Sequence, residues 1–376
     1  MLKWMKLKAL IGTVLIILVA VTALFLLRRH IAEQESDSLR VGVLLPLTGD
    51  AASYGVDCRH GIELAVENLE QNQHLKIDVV FEDSRADPAT AVTAFNKLVN
   101  VDKSNAVIGD MFSSTTLAIA PLAQQAHVFL LTPTAADERI PATGDYIYSI
   151  YPSASSEGAF MAERLPETSM GRVVVLYQNQ TATKAIADAF AVTVRQRGGN
   201  VALVESVPEE TSSYRSLLSK VGALNPTIIY ISAYRDPVAL LITMGREIGI
   251  NPLYATQSTL YDDKALQDYP GKLDGVLVSG PYFDSHNEAQ AIVAFSAQYH
   301  SQFGQLPSVW SAYGYDAANI LINAILEAKK DGVSPKEKLS GRVFSGLTGR
   351  TEIKADRSVE KEMVLYRIQG NKFEKE

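Results

Sequence analysis

Apolar positions along this chain switch repeatedly between two periods. Continuous runs such as Leu39–Leu45 suit strands buried on both faces of a parallel sheet. Ile62, Ala65, Val66 and Leu69 then fall at i, i+3, i+4 and i+7, the inward stripe of an amphipathic helix. The alternation predicts strands at 75–81, 106–108 and 128–131, with helices around 88–100 and 114–126. Pro88 sits in the first turn of the former. After Tyr151-Pro152 the pattern restarts: helix 154–165, strand 173–177, and helix 183–197 stopped by Gly198-Gly199. Strand 201–207, helix 213–224, strand 227–232, helix 237–248 and strands 253–256 and 275–279 follow. Val238, Leu241, Ile242, Gly245 and Ile248 share one face of the helix at 237–248. Long helices at 287–303 and 309–330 precede a tail in which 350–353 and 362–368 read as strands paired with each other through Ala355-Asp356-Arg357. Repeated strand–helix steps of this length describe two doubly wound α/β units.

The N-terminus has a different pattern. Lys3, Lys6 and Lys8 precede an uncharged run from Ala9 to Leu27, which Arg28 and Arg29 close. As a helix the run spans roughly 28 Å, near the thickness of a bilayer's hydrocarbon core. The small-residue candidate for cleavage, Val21-Thr22-Ala23, lies inside apolar sequence and is followed by Leu24-Phe25-Leu26-Leu27. A transmembrane anchor at 9–29 is therefore expected rather than a cleaved signal, the alternative being secretion to the periplasm after cleavage. The lysines and the terminal amine place residues 1–8 in the cytoplasm, residues 30–38 form a polar tether, and the remainder lies outside.

Composition narrows the function. With 47% hydrophobic and 20% charged residues, the 376-residue chain can build a sizeable core and is not a disordered polymer. A net charge of −7 does not suit a nucleic-acid partner. Cys58 alone makes neither a disulfide nor a Cys-pair metal site. The histidines at 30, 60, 74, 127, 286 and 300 form no i, i+4 pair. No nucleophile elbow, phosphate-cradling loop or dinucleotide fingerprint follows a strand. Glu82-Asp83 and Asp262-Asp263 are adjacent, so each pair points in two directions and makes no acid/base dyad. Neither an enzyme nor a cofactor or metal is expected.

The chemistry collects where strands end. Ligands of open α/β sheets sit beyond the carboxyl ends of the strands. After the first strand come Thr48-Gly49 and Ser53-Tyr54-Gly55; after the third, Gly109-Asp110-Met111-Phe112-Ser113-Ser114-Thr115-Thr116; after the fourth, Thr132-Pro133-Thr134-Ala135-Ala136. Serines opening a helix, beside its N-terminal amides, offer a site for a carboxylate or another oxygen-rich group. Capping alone also accounts for Ser113 or Ser114 taken singly.

These stretches resemble the type I periplasmic solute-binding proteins of the branched-chain amino acid (leucine/isoleucine/valine) receptor family. The resemblance runs from Leu39 nearly to the end. It is carried by Val41-Gly42-Val43-Leu44-Leu45-Pro46-Leu47-Thr48-Gly49 with Tyr54-Gly55, by Gly61-Ile62-Glu63-Leu64-Ala65, and by Phe81-Glu82-Asp83-Ser84 with Asp87-Pro88. Val107-Ile108-Gly109 with Ser113-Ser114 and Thr132-Pro133-Thr134-Ala135 complete it. It implies two lobes, 39–150 plus 285–344 and 151–284 plus 345–376, joined by a three-segment hinge that closes on the ligand. By resemblance Tyr54, Ser113 and Ser114 bind ligand with the main chain at Thr134 and Ala135, Ser113 holding a carboxylate through its hydroxyl and amide. Tyr234 would cover the ligand.

The departures from the family pattern bear on the ligand. Ala136 stands where amino-acid receptors carry a hydroxyl, the acidic partner of the ammonium aligns with Gln257, and a second-lobe tyrosine aligns near Ala182. A hydrogen bond to a charged group contributes roughly 1.5–3 kcal/mol, so these losses point away from a standard α-amino acid. A carboxylate, amide or other neutral polar compound is expected. Three roles follow: solute capture for an ABC importer, ligand sensing for a membrane partner such as a permease or sensor, or a ligand-free scaffold that activates an envelope enzyme. A polar cleft between the lobes favours the first two; a cleft filled with apolar side chains favours the third.

Overall fold

The computed structural model describes residues 39–285 and 288–376. The expected cytoplasmic segment, anchor and tether at 1–38 lie outside the described residues. Among the described residues no helix is long and apolar enough to cross a membrane.

The first sheet contains β1 (Leu39–Leu45), β2 (Ile77–Asp83), β3 (Ala106–Gly109), β4 (Phe129–Thr132) and β5 (Ile147–Ser149) in the order β2-β1-β3-β4-β5. All its pairings are parallel. The continuous apolar run of β1 is needed because both faces are covered: Val41, Val43 and Leu45 enter the core shared with the helix Ala52–Gln73. Leu44 packs with Phe95, Leu98, Ile119 and Leu130 on the opposite face. Asp87 caps the helix Pro88–Asn100 by accepting the Thr90 N–H at 2.8 Å, with Pro88 in the first turn as its fixed φ favours. His74 and His127 close their helices in the left-handed conformation, so these two histidines terminate helices.

The second sheet contains β6 (Val173–Gln178), β7 (Val201–Val207), β8 (Ile228–Ser232), β9 (Leu253–Thr256) and β10 (Leu277–Pro281), running parallel in the order β10-β9-β8-β6-β7. Strand order reverses between β1 and β3 in the first sheet and between β6 and β8 in the second. Those reversals create crevices at the strand carboxyl ends. After β10 the helices Gln290–Phe303 and Val309–Asp331 return to pack on Ala52–Gln73. Two glycines permit that close crossing. A Cβ on Gly61 would lie 1.9 Å from the Ser311 carbonyl oxygen, and one on Gly314 2.2 Å from that of Cys58.

The tail departs from expectation. β11 (Arg342–Gly346), β12 (Gly349–Ile353) and β13 (Val359–Lys361) form a separate antiparallel sheet. β14 (Met363–Gln369) pairs instead with β10 and with β15 (Lys372–Lys375) in the second sheet. Thus 350–353 pairs with 359–361, and 362–368 is not its partner. Alternating side chains mark a strand but do not name its neighbour. Ile248, expected on the buried face, is 41% exposed because it lies just past the end of its helix, Arg235–Glu247.

Candidate functional site

One cavity opens where both sheets present strand carboxyl ends, with about 650 Å³ of non-atom space including its mouth. From the first side it is lined by Tyr54, by Met111–Ser114 after β3, and by Thr134 and Ala136 after β4. Opposite stand Gln180–Thr183 after β6, Tyr234 after β8 and Gln257–Thr259 after β9, with Tyr151, Glu157, Ile186 and Trp310 completing the wall. Six of the seven residues expected from sequence, Tyr54, Ser113, Ser114, Thr134, Tyr234 and Gln257, therefore meet on one surface. Ala135 does not line the cavity. Its N–H donates to Thr132 Oγ1 at 3.0 Å, and its carbonyl accepts from Ser149 Oγ at 3.2 Å.

The loop after β3 is built around a buried acid. Asp110 Oδ1 accepts the Met111 and Phe112 N–H groups, and burial pushes its carboxyl up to about 6. Thr132 Oγ1 and Thr116 Oγ1 both donate to the Asp110 carbonyl, at 2.5 and 3.1 Å. This fixes the start of the helix Ser113–Ala126, whose N-terminus no side chain caps. Ser113 Oγ accepts from the Ala136 and Asp137 N–H groups, each at 3.2 Å. A hydroxyl that accepts twice still has its own proton to give, so buried Ser113 is a donor beside an uncapped helix N-terminus. Thr134 Oγ1 already donates to the Met111 carbonyl at 3.0 Å and serves to hold the loop.

Aromatic rings form a continuous wall. Trp310 meets Tyr54 edge-on at 5.3 Å and Phe112 meets Tyr234 edge-on at 5.5 Å, while Tyr54 and Tyr234 lie 6.4 Å apart. The glycine-mediated helix crossing brings Trp310 to this place, and Ser308 caps its helix by accepting the Ser311 N–H at 3.4 Å. Trp310 Nε1 is buried without a hydrogen-bond partner, a costly state for a donor unless a ligand meets it. Burial pushes the Tyr54 phenol up to about 12, opposed by the nearby Arg235 guanidinium. Arg235 in turn pairs with Asp236 at 2.7 Å and Asp262 at 3.3 Å.

On the second side Gln257 is held at both ends of its amide. Its Oε1 lies 2.5 Å from Ser232 Oγ, and its Nε2 donates to the Ala233 carbonyl at 3.3 Å. Glu157, in the helix Ala154–Arg164, is 1% exposed. Its Oε1 accepts from the Ser258 N–H at 2.8 Å and from Ser279 Oγ at 2.9 Å. Burial raises its carboxyl above the ordinary range. Tyr151 and Ser258 hydroxyls meet beside it at 2.5 Å. Glu157 and Trp310 were missed from sequence. Glu157 carried a usable signal, because Ala154, Glu157, Gly158 and Met161 trace an i, i+3, i+4, i+7 stripe on which a carboxylate is out of place.

Residues 38–372 match the family model described as periplasmic binding protein. The chain belongs to that family. This periplasmic binding protein is 24% identical over 325 residues to the leucine-, isoleucine-, valine-, threonine- and alanine-binding protein of Pseudomonas aeruginosa, covering 84% of this chain and 85% of the relative. Its fold is shared with the branched-chain amino acid transporter substrate-binding protein of Streptococcus pneumoniae, solved with isoleucine: TM-score 0.80, 23% identity, 90% of this chain and 98% of that one. It is shared equally with a solute-binding protein of an ABC transporter from Rhodopseudomonas palustris, solved with p-hydroxybenzoic acid: TM-score 0.81, 19% identity, 90% and 95%. The type I receptor resemblance of the sequence is thus borne out, and the family is one of extracytoplasmic substrate binders. Among the described residues no group of three or more His, Cys, Asp or Glu side chains could hold a metal ion.

Proposed function

We propose that this periplasmic binding protein captures a small carboxylate with a flat apolar body, closes its two lobes on it by a hinge, and hands it to an ABC importer. The observation that carries the reading is the uncommitted proton of the Ser113 hydroxyl at an uncapped helix N-terminus on the cavity wall, where Trp310 also contributes a ring whose buried indole N–H lacks a partner. Such donors suit a carboxylate, and the rings of Tyr54, Phe112 and Tyr234 offer a surface for the body behind it.

An α-amino acid fits less well. Gln257 is neutral, and Ala136 and Ala182 bring no hydroxyl. An ammonium at the Gln257 position would face a neutral amide in place of a carboxylate, at a cost of several kcal/mol. Of the two neighbours described, the one solved with an aromatic acid is the better guide to the ligand. The apolar run from Ala9 to Leu27 supports retention at the membrane. Calorimetric titration tests the reading: aromatic carboxylates are expected to bind at micromolar concentration and free amino acids not to. Micromolar binding of leucine would overturn it.

A further inference from the structure

The cavity wall carries a second polar group, which the carboxylate site does not use. Glu157 is the one carboxylate on the cavity wall among the described residues, and no Lys, Arg or His side chain accompanies it there. The Ser258 N–H and the Ser279 hydroxyl donate to it directly, and the Tyr151 and Ser258 hydroxyls meet beside it. Tyr230, whose hydroxyl is buried without a partner, and Tyr313 also lie in its field, as does Tyr151. A buried carboxyl without a resident cation is costly, and because Glu157 lines the cavity, a partner arriving there can meet it.

Resting on the carboxylate reading above, we propose that Glu157 selects the far end of the ligand: it receives a hydroxyl or amine donor carried opposite the ligand's carboxylate. The cavity wall then offers a donor at Ser113 and an acceptor at Glu157, with the rings of Tyr54, Phe112 and Tyr234 on the same lining for the apolar body. This departs from an α-amino acid, whose two charged groups are attached to the same carbon. The position that aligns with an ammonium partner holds the occupied Gln257, and the available carboxyl comes from a different helix.

The test uses three probes on the full chain: benzoate, which lacks a distal donor; para-hydroxybenzoate, with a neutral one; and para-(aminomethyl)benzoate, with a cationic one. Wild type, E157Q and E157L are titrated at one pH, and the ratio of each donor probe's affinity to that of benzoate is read. At least one donor probe is expected to bind wild type about 10-fold tighter than benzoate, with the ratio falling to near one in E157L. E157Q separates the two donors. It keeps an oxygen that accepts a hydroxyl but has no charge for the amine, so an amine preference disappears and a hydroxyl preference persists. Equal weakening of all three probes with the ratio preserved would show that Glu157 only orders the Ser258 loop, and would overturn the proposal. So would benzoate binding wild type as tightly as both donor probes, an outcome that needs no variant to fold. If wild type binds none of the three, the carboxylate reading itself falls and this inference with it.

Discussion

Two buried polar clusters in this molecule differ in one respect that separates structure from function. The first ties the helix Val309–Asp331 to the small sheet. Asp316 accepts the Leu347 and Thr348 N–H groups, both at 2.8 Å, and the Thr348 hydroxyl at 2.5 Å. Lys361 Nζ donates to Thr348 Oγ1 at 2.7 Å and Thr351 Oγ1 at 2.6 Å, and lies 5.1 Å from the Tyr313 ring centroid. Cation, anion and hydroxyls answer one another. The second cluster is the cavity, where Trp310 Nε1 has no acceptor, the Ser113 proton is uncommitted and Glu157 has no cation beside it. A closed network holds a fold together. An open one is completed by something else.

Substitutions can break this contrast. Asp316→Ala should have the largest effect, because it leaves the buried Lys361 cation without its anion and two N–H groups without an acceptor. A loss of about 3–5 kcal/mol in denaturant unfolding is expected, with ligand affinity in the remaining folded protein changed little. Ser113→Ala should reverse that balance. It removes a donor to a charged group, weakening a carboxylate by roughly 10- to 100-fold in calorimetry, a larger effect than its cost in stability from the freed Ala136 and Asp137 N–H groups.

Trp310→Phe is a gentler probe. The ring stays against Tyr54 while the N–H is lost, so affinity should fall by about 3- to 10-fold. The unfolding midpoint without ligand should hold or rise, because a buried donor lacking a partner is gone. A fall in stability with unchanged affinity would place Trp310 in the closed class.

The last probe is pH. Burial lowers Lys361 to about 8, against the pull of Asp316, and an unfolded lysine titrates near 10.4. Between about pH 8 and about pH 10.4 the unfolded chain holds more protons at this position. Stability from this group therefore rises with pH through that window, and below it the full cost of the buried cation is present. Lys361→Met should flatten that slope in unfolding curves taken across the window.

Much of this was legible in the sequence, for identifiable reasons. Strands such as β1 and β8 are covered on both faces, and their unbroken apolar runs announce it. The three residues of β5 are too few to carry a period, and so it was missed. The tail strands were recognised but wrongly paired, because Glu362 alone separates β13 from β14 and the chain changes sheets there. In the site, turn residues at strand ends brought Tyr54, Ser113, Ser114, Thr134, Tyr234 and Gln257 onto one wall, since the topology dictates where strand ends converge. Ala135 faces its own loop. Trp310 was hidden because an aromatic residue beside Val309 and near Tyr313 reads as ordinary core; only its lack of a partner in three dimensions sets it apart.

The measurement closest to the heart of this account is a native mass spectrum of the full chain, purified without refolding, for wild type and Ser113→Ala. The account expects wild type to carry a small organic acid that leaves on denaturation and is depleted in the variant. A bare chain that also gives no heat with any carboxylate, or one loaded with a branched-chain amino acid, would contradict it.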